Sequence, residues 1–259
     1  MTDSSGSGSF DLGLAGQVVL VTGGVRGVGA GISEVFAAQG ATVIACARRP
    51  VEGSPYEFRT CDVRDPQSVA DLIDGIVADH GRIDVAVNNA GGSPYALAAD
   101  ASPKFHAKIV ELNLLGMLHV SQRANAAMQQ QDSGGAIVSI SSVSGRRPTP
   151  GTAAYGAAKA GVESLTATLA VEWAPKVRVN ALAVGMVETE QVELFYGDAE
   201  SQAAVAATVP LGRLAKPTEI GWAAAFLASD AASYVSGATL AVHGGGEPPP
   251  YLEATSAIT

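Results

Sequence analysis

The chain reads as a single-domain α/β protein, a doubly wound parallel sheet of seven strands with helices on both faces. Three observations predict this. Short runs that are apolar almost throughout alternate with longer stretches of helical periodicity, a glycine-rich turn joins the first strand to the first helix, and no linker or internal repeat divides the 259 residues. Strands that are apolar throughout are covered on both faces, which is the situation of a parallel sheet between two helix layers. A chain of this length builds one large core in folds of that kind.

The elements follow in order. Residues 17–21 form the first strand, Thr22-Gly23-Gly24-Val25-Arg26-Gly27-Val28-Gly29 the turn, and residues 29–39 a helix that Gly40 stops. Strands are expected over 41–45 and 57–60, then a helix over 66–80 with Pro66 in its first turn, where a missing N–H costs nothing. A fourth strand, 83–87, runs into Asn88-Asn89-Ala90-Gly91. A long helical stretch covers 103–130, and the fifth strand is 135–140. Helix 152–174, strand 177–183, helix 217–228 and strand 238–242 complete the alternation. Residues 186–211 break the rhythm. They are long, irregular and acidic, with Glu188, Glu190, Glu193, Asp198 and Glu200, and such insertions commonly cover binding sites. The catalytic domain is placed at 14–246, between a flexible Ser- and Gly-rich tail over 1–13 and an extended tail over 247–259 that begins Glu247-Pro248-Pro249-Pro250.

The net charge of −9 and a pI near 4.9 argue against a nucleic-acid surface, which needs clustered Lys and Arg. Hydrophobic residues make up 47%, yet no apolar run approaches the roughly eighteen residues of a membrane span. With neither a basic start nor an apolar stretch at the N-terminus, a cytoplasmic location is expected. Cys46 and Cys61 lack metal-ligand spacing and read as core residues. His80, His106, His119 and His243 show no pairing at ligand spacing, so no metal is expected.

The glycine turn carries the first chemical signal. Gly23, Gly27 and Gly29 permit the turn, the close approach of backbone to a pyrophosphate, and tight packing of helix on strand, while the helix start offers free N–H groups. The second strand ends in Ala47 and Arg48, so no carboxylate awaits the ribose hydroxyls; Arg26 and Arg48 can instead converge on a 2′-phosphate. NADP(H) is therefore favoured, with NAD(H) left open. The second signal is Ser142, thirteen residues before Tyr155, with Lys159 four residues later and so one helical turn away. A phenol ordinarily titrates near pH 10, and a neighbouring ammonium favours the phenolate, so Tyr155 is expected to exchange protons closer to neutral pH. Ser142, just beyond the fifth strand, can hold a carbonyl oxygen. Arg146 and Arg147 follow, suited either to an anionic substrate group or to solvent.

Together these residues resemble the short-chain dehydrogenase/reductase family, over about 14–246. The glycine turn is similar to its TGxxxGxG element, residues 88–91 to its NNAG turn, and Tyr155 with Lys159 to its YxxxK pair. The resemblance implies a Rossmann-type sheet and a catalytic set of Asn113, Ser142, Tyr155 and Lys159. It implies a cofactor site of Gly23, Arg26, Gly27, Val28, Gly29, Arg48, Asp62, Val63, Asn89, Ala90 and Gly91, with Tyr155, Lys159, Val187 and Thr189. In that scheme Tyr155 protonates the carbonyl oxygen, Lys159 holds the nicotinamide ribose, and Asn113 anchors a water. A homo-oligomer, tetramer or dimer, is also implied. The reaction would interconvert a secondary alcohol and a ketone, on a 3-oxoacyl thioester, a steroid or a small cyclic ketone. Two departures stand out: Val184 where the family has Pro, and His243 where it has Asp. The first would loosen the start of the lid and the second would act on assembly. The competing readings are a catalytically silent dinucleotide-sensing or scaffold protein and, less consistent with the four catalytic residue types, a methyltransferase.

Overall fold

The computed structural model describes residues 11–249. Its strands are β1 (Val18–Thr22), β2 (Thr42–Ala47), β3 (Glu57–Thr60), β4 (Val85–Asn88), β5 (Gly135–Ser142), β6 (Val177–Val184) and β7 (Thr239–Val242). They form one sheet in the order β3-β2-β1-β4-β5-β6-β7, every neighbouring pair parallel. The chain winds outward from β1 to β3 and then returns to lay β4 against the other side of β1. The crevice beyond the carboxyl ends of β1 and β4 is thus the topological switch point, where ligands of open α/β sheets bind.

The helices are α1 (Gly27–Ala38), α2 (Pro66–His80), α3 (Pro103–Val110), α4 (Gly116–Met128), α5 (Ala153–Trp173), α6 (Val192–Tyr196), α7 (Ala199–Ala207) and α8 (Pro217–Ala228). The two-residue period of β1 sorts its side chains between two apolar layers. Val19 and Val21 pack with Ile32 and Phe36 of α1 and Ile220 of α8, whereas Val18 and Leu20 pack with Leu72 and Ile76 of α2 and Val120 of α4. Local chemistry ends α2 at both termini. The Asp65 side chain caps α2 by accepting from the Gln67 amide, and Gly81 closes it in the left-handed conformation.

Four expectations need amendment. The helical stretch 103–130 is not continuous: a π turn, Glu111–Leu115, separates α3 from α4. The segment 186–211 is not irregular, because α6 and α7 lie within it. Its small residues, Ala199, Ala203 and Ala206 among them, are sound helix formers that the acidic count obscured. Of the tail over 1–13, residues 1–10 lie outside the described residues, but Leu12 is buried in the core and its amide donates to Gln39, so packing begins before residue 14. At the other end residues 250–259 lie outside the described residues, while Glu247 pairs with Arg147. Among the described residues no helix is long and apolar enough to cross a membrane, and no His, Cys, Asp and Glu side chains cluster to hold a metal. Cys46 and Cys61 are buried free thiols.

Candidate active site

Thr22, the last residue of β1, organises the crevice. Its Oγ1 accepts from the amides of Asn89 (2.9 Å) and Ala90 (3.0 Å) and donates to the Val87 carbonyl, which fixes the turn after β4 against the turn after β1. Asn89 returns the contact, its Nδ2 donating to the Thr22 carbonyl. The glycine loop follows. A Cβ on Gly29 would lie 2.1 Å from the Gly23 carbonyl oxygen, so only glycine lets α1 start this close to the strand. Val28 packs on the core below.

The N-terminus of α1 has no side-chain cap from Arg26. Its Gly27 amide instead donates to Glu190 Oε2 at 3.0 Å, a carboxylate brought in by the segment after β6. Thr189 lies alongside, its methyl 3.6 Å from the position of a Cβ on Gly27. A carboxylate on the free amide of a helix start stands in for a phosphate oxygen, and the glycine cradle therefore fits a dinucleotide pyrophosphate. Arg26 and Arg48 are exposed just past the ends of the adjacent strands β1 and β2, with Arg48 acting electrostatically on Asp62. Asp62 itself is held by Arg64, whose guanidinium keeps that carboxyl below the usual carboxylate range. Val63 is buried against Gly116.

Asn113 occupies the π turn, and there its wholly buried side chain makes three bonds. Oδ1 accepts from the Gly92 amide (2.8 Å), and Nδ2 donates to the carbonyls of Gly92 and Ile109 (2.9 Å each). The extra residue of a π turn redirects a side chain, and here it clamps the loop that follows β4. Gly91 lies in the gap between Asn113 and Lys159: a Cβ there would meet Asn113 Oδ1 at 2.7 Å and Lys159 Nζ at 3.4 Å.

Tyr155 and Lys159 share one face of α5, the ammonium 5.5 Å from the phenol ring centroid. Lys159 is buried and donates to the Ile140 carbonyl at 2.7 Å; loss of water lowers its pKa to about 7. The phenol does not follow the expected direction. Burial pushes Tyr155 up, hydrogen bonding with Ser142 draws it down, and the nearby Tyr196 of α6 raises it further. Spacing along the helix brings the ammonium close but carries no desolvation, which disfavours both charged forms and weakens the ammonium meant to help. Ser142 ends β5, and its Oγ accepts from the Ser144 amide.

At Val143, the residue after Ser142, opens a cavity of about 340 Å³ bounded also by Arg147, Met186, Val209, His243 and Glu247 among others. His243, expected to act on assembly, lines this cavity and packs against Gly185. The segment after β6 begins with Val187 bridged to Ala215, and Val184 is an ordinary buried strand residue paired with Ser142 and Val242.

The family model described as enoyl-(acyl carrier protein) reductase matches residues 23–247. The chain belongs to the short-chain dehydrogenase/reductase family. It is 37% identical over 244 residues to a 3-oxoacyl-(acyl-carrier-protein) reductase of Thermotoga maritima, covering 90% of this chain and 98% of the relative. Identity is 40% over 244 residues, 89% of this chain and 96% of the other, to the cis-4-hydroxycyclohexanecarboxylate dehydrogenase of Sinomonas cyclohexanicum. The ligand-free aldohexose dehydrogenase of Thermoplasma acidophilum superposes with a TM-score of 0.87 at 33% identity, over 96% of this chain and 98% of that one. This short-chain dehydrogenase/reductase is an oxidoreductase acting on CH–OH and C=O groups with a nicotinamide dinucleotide.

The sequence reading of this family member missed four site residues. Thr22 was passed over as the first letter of the glycine motif, although a Thr ending a buried strand needs partners for its hydroxyl. Glu190 and Tyr196 were absorbed into the lid as charge and bulk. Glu247 was assigned to a tail, and nothing in its neighbours announces Arg147, 100 residues away.

Proposed function

We propose that this enzyme is an NADP(H)-preferring carbonyl reductase in which Tyr155 is the general acid of reduction and the general base of alcohol oxidation. The observation that carries the reading is the half-buried Tyr155 phenol, associated with Ser142, one helical turn from Lys159 and within electrostatic reach of Tyr196 of α6. A phenol held above its ordinary pKa is protonated at neutral pH, the form a carbonyl oxygen needs as it gains charge. Tyr155 passes its proton to that oxygen while Ser142 holds the oxygen by a hydrogen bond. In the reverse direction the phenolate takes the hydroxyl proton. Lys159 would hold the nicotinamide ribose, and Asn113 clamps Gly92 and would anchor a water for resupply of the proton.

When bound, the nicotinamide supplies or accepts the hydride at the substrate carbon. Gly23, Gly27, Val28 and Gly29 would hold the pyrophosphate, Arg26 and Arg48 a 2′-phosphate, Asp62 and Val63 the adenine ring. Asn89, Ala90, Gly91, Val187 and Thr189 would line the remainder. The likeness to the cyclohexanecarboxylate dehydrogenase and the modest cavity support a small cyclic ketone or alcohol; likeness to the 3-oxoacyl reductase keeps 3-oxoacyl thioesters in the test. A cytoplasmic homo-oligomer, tetramer or dimer, completes the proposal.

Purified protein mixed with NADPH or NADH and a panel of cyclic ketones, steroid ketones and 3-oxoacyl esters should consume NADPH in preference, followed by nicotinamide absorbance. Tyr155→Phe should bind the dinucleotide equally and turn over about 10²- to 10⁴-fold more slowly. Binding without turnover in either direction, across the panel, would favour the silent dinucleotide-sensing protein instead.

A further inference from the structure

Resting on the oxidoreductase reading, we infer that the cavity at Val143 takes a substrate bearing a carboxylate, and that Arg147 is the residue that recognises it. Arg147 and Val143 come from the same turn after β5 and line the same cavity, so a group bound by the guanidinium lies in a cavity whose wall includes the residue next to Ser142. The remaining walls that matter, Val143, Met186 and Val209, are apolar and suit a hydrocarbon frame.

The two arginines of this turn differ in their partners. Arg146 is committed, its Nε bonded to both carboxylate oxygens of Glu163 on α5, and Glu163 is held in turn by Ser141. Arg147 is oriented by one edge, where Nη1 donates to Thr149 Oγ1 and the Pro148 carbonyl. Its other edge meets Glu247, which lies past the end of β7, through Nη2 alone. Among the described residues Nε stays buried without a partner, and so does His243 Nδ1 in the wall of the same cavity.

Elsewhere in this protein the Nε–Nη2 edge is filled by one carboxylate, as Arg64 is by Asp62 and Arg82 is by Asp84. Unpaired buried donors are rare and costly, and a planar fork is made for two oxygens. Glu247 is thus an incomplete, displaceable occupant that shows which group the fork accepts. A substrate carboxylate completes the fork, and His243 stands by as a second polar contact.

The test is reduction of 4-oxocyclohexanecarboxylate and of its methyl ester, with NADPH, by the full chain. Wild type should favour the acid in kcat/KM by about 10- to 100-fold, the worth of one charged hydrogen-bonded contact. Arg147→Leu should bring the acid down to the level of the ester while the ester changes by less than about threefold, and Arg147→Lys, which keeps charge but not the fork, should fall between. Glu247→Gln should lower KM for the acid and leave the ester unchanged, and it carries the test if Arg147→Leu does not fold. Equal use of acid and ester by wild type, or equal loss of both in Arg147→Leu, would overturn the assignment. Tyr155→Phe silencing both substrates keeps the oxidoreductase reading intact whichever way the preference falls. If wild type reduces neither, thermal stabilisation by cyclohexanecarboxylate but not its amide, absent in Arg147→Leu, supports the site; no stabilisation by the carboxylate rules it out.

Discussion

At the scale of single residues, two side chains tie distant parts of the site together through a few atoms. Thr22 satisfies the amides of Asn89 and Ala90 with one hydroxyl, so Thr22→Val, nearly the same shape, leaves both donors unpaired beneath the crevice. It should cost about 2 kcal/mol or more and lower Tm by about 5 °C, read by thermal unfolding. Glu190 is the opposite case, a carboxylate on the Gly27 amide, where the proposed site would hold a pyrophosphate oxygen. Dinucleotide must displace it, so Glu190→Gln should tighten binding several-fold in a fluorescence titration; weaker binding would mean that the carboxylate helps to assemble the bound site. These contacts were not legible in the sequence. Gly27 and Glu190 are 163 positions apart, and no local pattern encodes which backbone amide so distant a carboxylate will meet.

At the scale of elements, the approach of α1 to α8 rests on two glycines. A Cβ on Gly31 would sit 2.3 Å from the Pro217 carbonyl carbon, and one on Gly221 would sit 2.6 Å from the Gly31 carbonyl oxygen. Helix backbones this close admit no side chain between them, so Gly31→Ala must part the helices. Its higher helix propensity, worth about 1 kcal/mol, is outweighed by the lost packing. A net loss of about 2–4 kcal/mol is expected in denaturant unfolding. Because α1 also carries the phosphate cradle, dinucleotide affinity should fall with it. The strands and α2 were legible because apolar runs and Pro66 are local signals acting over a few residues. The π turn was not: Glu111–Leu115 has helix-compatible residues throughout, and it is set by where Asn113 finds the Gly92 amide and carbonyl.

For the molecule as a whole, burying Lys159 links stability to pH. Its folded pKa of about 7 lies below its ordinary 10.5, so between those values the unfolded chain holds a proton that the folded chain has released. Stability of the dinucleotide-free protein therefore rises with pH across that window, by up to about 1.4 kcal/mol per unit from this group. Tyr155 opposes it at the upper end. With its folded pKa raised above 10.0, the folded chain keeps a proton the unfolded chain loses, so stability falls again beyond pH 10. Lys159→Met should flatten the rise between pH 7 and 10, seen as the difference between wild-type and variant denaturation midpoints. In catalysis the same phenol implies that carbonyl reduction falls as pH rises past 10, while alcohol oxidation, which needs the phenolate, gains; paired pH profiles of kcat/KM check this.

The sequence by itself determined the order and kind of the elements, the glycine cradle, and the sharing of one helical face by Tyr155 and Lys159. Those follow from backbone preference and side-chain period, which act within a turn or two. Only the tertiary structure decided that Tyr155 is raised rather than lowered, that Glu190 meets the cradle, that His243 faces a cavity, and that Arg147 rather than Arg146 has a displaceable partner. Desolvation and ion pairing depend on what the chain brings back from far along its length, and at these positions packing decides the sign of the effect.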